Sequence, residues 1–146
     1  MMLVPSMAIA VFTGILRGAG YEVDLFDTTH YVAPTPVSSE EVRAGWLQLR
    51  PFDPEKDLGV HLGTDIIGDF QRKVDDFKPD LIIMSTVEDT FLQGVSMLDS
   101  IYDANIPSIV GGVFVTAAPE KAISYPQVNM IGVGEGEHTV LDVAER

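Results

Sequence analysis

Apolar residues recur along this chain with two different periods, and stretches of the two kinds alternate. Residues 64–77 place Ile67, Phe70, Val74 and Phe77 at three- and four-residue steps, one face of a helix that Pro79 stops. Residues 81–84 are an apolar run without alternation, the pattern of a strand buried on both faces in a parallel sheet. Residues 90–104 return to the helical period with Phe91, Val95, Leu98 and Tyr102 as the inner stripe, and Thr90 with Gln93 at capping-box spacing. A second strand is expected over 108–110, closed by Gly111 and Gly112. A short helix over 119–124, a strand over 128–133 and a last helix from 137 to 145 follow.

The amino-terminal part is less regular. Residues 6–19 read as a helix with Ser6 as its cap and Gly20 positioned to end it, apolar nearly all round and so expected to be buried. Residues 22–26 alternate polar and apolar side chains and predict a strand ending at Asp27. Residues 1–4 are a candidate for the first strand, short for a central one, so the natural strand is expected to be truncated here. From 28 to 63 the pattern lapses into Pro34, Pro36, Pro51 and Pro54 among polar residues, with a short helical stretch around 40–49. So long a connection is either functional or an interdomain contact surface. Trp46 within it fits a small satellite core under the loop.

Strands alternating with helices specify an open parallel sheet covered on both faces, because each parallel crossover has to span the sheet. The expected class is α/β, a flavodoxin-like (Rossmann-like) three-layer sandwich. It would have five strands, or four with the first truncated, and 81–84 would be central. The 146 residues suit a single domain, 1–146.

Nine Lys and Arg against 22 Asp and Glu give a net charge of -13. Nucleic acid and anionic membrane surfaces are therefore disfavoured as partners, since both are held by clustered basic groups. The chain has no cysteine, so it cannot by itself build a disulfide, a thiolate zinc site or an iron-sulfur cluster. No apolar run reaches the length of a membrane span and no signal peptide is evident, which makes a cytoplasmic location the expectation.

Ligands of open α/β sheets bind at the carboxyl ends of the strands. Three such ends stand out here: Ser85-Thr86-Val87, Gly111-Gly112-Val113 and Gly134-Glu135-Gly136-Glu137. The hydroxyls of Ser85 and Thr86 suit a ligand amide or ring nitrogen, or equally a cap for the helix that follows. Gly111 and Gly112 allow close backbone approach, or simply make a tight turn. The third run offers N–H groups at a helix start, yet Glu135 and Glu137 oppose phosphate and also compensate the helix dipole. No Gly-x-Gly-x-x-Gly, phosphate-binding loop or Gly-x-Ser-x-Gly elbow occurs, and His30, His61 and His138 lack metal-ligand spacing.

The order of these features is more specific than any one of them. Residues 18–27, 78–85, 106–112 and 132–137 together resemble the cobalamin-binding domain that precedes the radical core in many radical S-adenosylmethionine enzymes. The resemblance covers nearly the whole chain outside 28–63. It implies cobalamin held beside Ser85, Thr86, Val87, Gly111, Gly112, Val113, Gly134, Glu135 and Gly136. Methionine-synthase-type domains carry an Asp-x-His-x-x-Gly motif that supplies an axial imidazole. That motif is absent here, His30 standing at the wrong spacing from Asp27. The Ser-x-Leu and Gly-Gly elements that follow it in those domains correspond to Ser85-Thr86-Val87, with Val for Leu, and to Gly111-Gly112. Base-off cobalamin without a histidine on cobalt is therefore implied.

The resemblance further implies a radical core domain of the same polypeptide beyond residue 146, carrying S-adenosylmethionine and a [4Fe-4S] cluster. The intact protein would perform methyl transfer, cyclisation or rearrangement, and this chain alone would bind without catalysing. A stand-alone cobalamin or small-ligand binding module, a sensor or carrier, would use the same strand ends.

Overall fold

The computed structural model describes residues 7–32, 42, 44–48 and 53–146. Ser6 and the candidate strand 1–4 lie outside the described residues, as does part of the stretch 40–49.

Helix α1, Met7–Gly18, ends as its sequence requires. Gly20 takes φ +93°, the Tyr21 N–H donates to the Leu16 carbonyl and the Gly20 N–H to that of Arg17, so the last carbonyls are satisfied by a glycine-terminated turn. The helix is less buried than its composition suggests. Only Leu16 is buried, and Met7 is 83 % exposed.

Residues 22–26 form no strand. They run without sheet partners, held by Arg17 donating to the Val23 carbonyl at 2.8 Å and by the Lys73–Asp24 ion pair at 2.5 Å. Alternation marks a segment able to pair, but pairing needs a neighbour within reach, and here a cavity intervenes. The long connection begins with a 3-10 turn, Thr28–His30, capped by Asp27, and is closed where Tyr31 and Gly63 form an isolated parallel bridge. It includes the short helix α2, Pro54–Leu58. Trp46 is 69 % exposed and belongs to neither core, contrary to the satellite-core expectation.

Helix α3, Ile66–Phe77, is capped by Asp65, which accepts from the Gly68 N–H at 3.0 Å. It stops at left-handed Lys78, just before Pro79. Its buried stripe of Ile66, Phe70 and Val74 packs against Met97, each such side chain contributing about 1.5–3 kcal/mol on removal from water. Strand β1, Ile82–Ser85, leads to helix α4, Glu88–Asp99. Val87 is the N-cap and the Thr90 hydroxyl accepts its N–H at 3.2 Å, so Thr90 serves inside the first turn and is not the cap residue expected with Gln93. Phe91, Val95 and Leu98 are buried as their spacing predicts, whereas Tyr102 falls in a following 3-10 turn and is exposed.

Strand β2, Ser108–Gly111, is followed by α5, Val113–Ala117, which the sequence pattern did not announce, and by α6, Pro119–Ile123. Strand β3, Met130–Ile131, and helix α7, Glu137–Ala144, complete the chain. The sheet is open and all parallel in the order β1-β2-β3, with Ile82 opposite Ser108, Ser85 opposite Gly111 and Ile109 opposite Met130. The fold is thus mixed α/β. Among the described residues β1 stands at one end of the sheet, and no described segment, 22–26 included, pairs with its outer side.

Side chains alternate across a strand, and the two faces of β1 and β2 meet different helices. Ile82, Met84 and Val110 join Phe91, Val95 and Leu98 of α4, Val115 of α5 and Ala122 of α6 in one core. Ile83 and Ile109 point the other way, towards Ala8 and Phe12 of α1 and Val140 of α7. Ser108, 1 % exposed, donates its hydroxyl to Asn129 Oδ1 at 3.1 Å and ties the start of β2 to the entry of β3. No helix among the described residues is long and apolar enough to cross a membrane.

Candidate functional site

The three parallel strands end on one side of the sheet, and a crevice of about 160 Å³ opens there. Ser85 closes β1 and Gly111 closes β2, directly opposite each other in the register. Both lie on the face of Ile83 and Ile109, so the Ser85 side chain and the Gly111 Cα form the crevice floor. Gly134, Glu135 and Gly136 come in from the β3 side and lead into α7, with Glu137 in its first turn. Phe12 and Ala8 of α1 form the remaining wall.

Six of the nine residues singled out in the sequence meet in this crevice: Ser85, Gly111, Gly112, Gly134, Glu135 and Gly136. The other three do not line it. Thr86, 5 % exposed, points to the opposite face, where its N–H and its hydroxyl both donate to the Gly111 carbonyl at 3.0 and 3.3 Å. Val87 is the cap residue of α4, and Val113 is 74 % exposed at the start of α5. Thr86 therefore ties the two strand ends together and is not positioned to contact a ligand in the crevice.

Gly112 makes the turn out of β2 possible. Its φ of +109° with ψ of -176° belongs to a region populated essentially by glycine, and its Cα faces the Thr86 backbone with no room for a Cβ. At Gly111, by contrast, a Cβ would meet only the Gly132 carbonyl oxygen, at 3.6 Å. One glycine is needed by the chain itself, and the other leaves open space.

Phe12 and Thr139 are contributors that the sequence did not single out. The Phe12 ring lies against Gly136, where a Cβ would come within 2.6 Å of its Cζ. Nothing in an apolar helix distinguishes one aromatic that faces a site from others that face the core, so no sequence signal marked it. The Gly134 N–H already donates to the Thr116 hydroxyl at 3.2 Å, which removes one of the free donors expected of this run.

No Lys or Arg lines the crevice among the described residues, while Glu135 and Glu137 do. The surroundings suit a neutral arm and disfavour phosphate. None of the three histidines lines it either; His61 is exposed beside Glu55, and Nδ1 of His30 is buried in the 3-10 turn without a hydrogen-bond partner among the described residues. Among the described residues no three His, Cys, Asp or Glu side chains gather to hold a metal.

No family model, curated protein or solved structure matches this chain.

Two other hollows compete for attention. One of about 480 Å³ sits at the amino ends of the strands, by Pro107, Gln127 and Asn129, the side of an open α/β sheet away from its ligand sites. The other, about 400 Å³, runs along the outer edge of β1 between Leu81–Val87 and the segment from Asp24 to Thr29. Among the described residues the titrations that depart from ordinary values belong to this neighbourhood and not to the crevice. The hydrogen bond from Lys73 holds the Asp24 carboxyl below the usual carboxylate range, and that from Thr29 does the same for Asp27. Burial, and next the Asp69 carboxylate that accepts its hydroxyl, push the Tyr31 phenol up.

Proposed function

We propose that this chain is the cobalamin-binding domain of a radical S-adenosylmethionine enzyme, of flavodoxin-like three-layer fold, and that it takes the cofactor's dimethylbenzimidazole tail into the crevice. The observation that carries the reading is the convergence of Ser85, Gly111, Gly112 and Gly134–Gly136 at the carboxyl ends of three parallel strands. The carboxyl ends of the strands are the side on which open α/β sheets receive ligands.

The space fits an inserted arm and not a whole ligand. Complete small-molecule pockets measure about 300–1,000 Å³, whereas an apolar cavity of about 150 Å³ takes a benzene-sized ring. The crevice, at about 160 Å³, belongs to the second size, with its apolar floor at Ile83 and Ile109 and the Ser85 hydroxyl available to a ring nitrogen. The corrin would lie outside on the strand-end rim. When bound, cobalamin supplies a cobalt centre able to carry a methyl group or to take part in radical rearrangement. The chain's own residues position it, leaving cobalt without a protein histidine. S-adenosylmethionine and the [4Fe-4S] cluster belong to a radical core domain of the same polypeptide, which is the partner this reading requires.

The test is retention of cobalamin through gel filtration by the intact chain and by Gly111→Leu. The leucine side chain would project into the crevice without the backbone strain that any substitution at Gly112 brings. Co-elution of cobalamin with the native chain and its loss from Gly111→Leu are expected. No co-elution, or equal retention by both, would overturn the reading.

A further inference from the structure

Gly136 is a glycine that its own backbone does not require. Gly112 and Gly134 take φ of +109° and +82°, but Gly136, with φ -99° and ψ -9°, is in a right-handed conformation accessible to any residue. What the absent side chain makes room for is the Phe12 ring, since a Cβ there would come within 2.6 Å of Phe12 Cζ and 3.1 Å of its Cε1. The tip of the ring is seated in a notch at the start of α7, the helix along which α1 packs.

Held there and only partly buried, Phe12 lines the same crevice as Ile83, Ile109 and Ser85. Ile83 and Ile109 come from the sheet and Phe12 from a helix laid over that face. A group entering between them meets aliphatic side chains on one side and an aromatic ring on the other. An aliphatic arm would gain only the apolar area it buries in such a slot. A flat aromatic group gains more, because two rings in offset-stacked or edge-to-face contact attract each other beyond their buried area.

We propose that Phe12 is a binding residue that selects an aromatic base at the end of the corrinoid's tail by packing its ring against that base. Gly136 serves the site by seating Phe12, not by touching the ligand. The assignment rests on the crevice being the seat of the tail, and it names the side chain that recognises the base. Leucine at position 12 would keep apolar bulk without a ring, and alanine would remove both. Alanine at position 136 fits the backbone but would push the Phe12 ring out of its notch.

Titrations of the intact chain, Phe12→Ala, Phe12→Leu and Gly136→Ala with cobalamin and with cobinamide, which lacks the base, test it. Phe12→Ala is expected to weaken cobalamin about tenfold or more and Phe12→Leu about two- to tenfold, with cobinamide within about twofold of its native affinity. Gly136→Ala should weaken cobalamin in the native background and add nothing in Phe12→Ala, since two changes to one contact do not add. In the unsubstituted chain the Phe12 ring proton resonances should shift with cobalamin and not with cobinamide, a readout that needs no variant to fold. Suppose the intact chain prefers cobalamin and Gly111→Leu abolishes the preference, yet the Phe12 variants bind as the native chain does or the ring resonances stay in place. Then the role of Phe12 is overturned and the crevice remains the seat of the tail. No preference in the intact chain would overturn both. Equal weakening of both corrinoids by Phe12→Ala would overturn the selection of the base, and a Gly136→Ala effect that persists in Phe12→Ala would overturn the role of Gly136.

Discussion

Gly112 sits against the backbone of Thr86 so closely that a Cβ on it would overlap the Thr86 carbonyl oxygen, and Thr86 in turn donates twice to the carbonyl of Gly111. The two strand ends that floor the crevice are thus locked to each other by backbone. Gly112→Ala is expected to destabilise the chain by at least about 2 kcal/mol, from the glycine-only backbone conformation and the overlap together. Gly111→Ala, with its nearest neighbour at 3.6 Å, should cost no more than about 1 kcal/mol. Urea midpoints of the two variants check this, and equal losses would contradict it.

The Ser108 hydroxyl is enclosed where β2 begins, donating to Asn129 Oδ1 or to the Gln127 carbonyl and accepting the Asn129 N–H. Ser108→Ala leaves those buried groups short of a partner and is expected to cost about 1–3 kcal/mol. The control is Ser124→Ala, whose exposed hydroxyl only caps the Lys121 carbonyl and which should change stability by less than about 0.5 kcal/mol. Denaturant unfolding of both variants is the measurement.

How much of this was legible in the sequence depends on whether a feature is local. Helices α3 and α4 and strand β2 follow from spacing alone, because Phe70, Val74, Phe91, Val95 and Leu98 must share a face whatever surrounds them. The strand ends could be found but their parity could not. In Ser85-Thr86-Val87 only alternate residues face the crevice, which is why Thr86 turned out to be a tie between strands. Residues 22–26 alternate like a strand yet have no strand beside them among the described residues, and pairing is not local. Helix α5 was hidden because Val113, Phe114, Val115 and Thr116 are poor helix formers, held helical by tertiary packing of the buried Val115. Helix α1 has the composition of a buried helix, but burial depends on what lies over it.

Tyr31 anchors the long connection, its hydroxyl donating to Asp69 Oδ2 at 2.9 Å and its ring packing over Gly63 and Phe26. Burial, then Asp69, raises its pKa above the ordinary value of about 10. A group with a raised folded-state pKa contributes stability that is fully present below its unfolded value and is lost as pH climbs through the folded one. The chain should therefore lose stability as pH rises above about 10, partly through this phenol. Tyr31→Phe should be less stable at neutral pH but flatter across that rise. Urea midpoints measured against pH would contradict this if the two profiles ran parallel.

Competing ligands that differ only in the tail test the central claim most directly. Cobalamin and cobinamide, which lacks the dimethylbenzimidazole nucleotide, are titrated separately into the intact chain, with binding followed by the corrin absorption spectrum. The account predicts that cobalamin binds at least about tenfold tighter than cobinamide, a difference of about 1.4 kcal/mol contributed by the tail in the crevice. It also predicts that Gly111→Leu erases that difference and that His30→Ala and His61→Ala leave the bound spectrum unchanged. Equal affinity for the two corrinoids, or no binding of either, would contradict it.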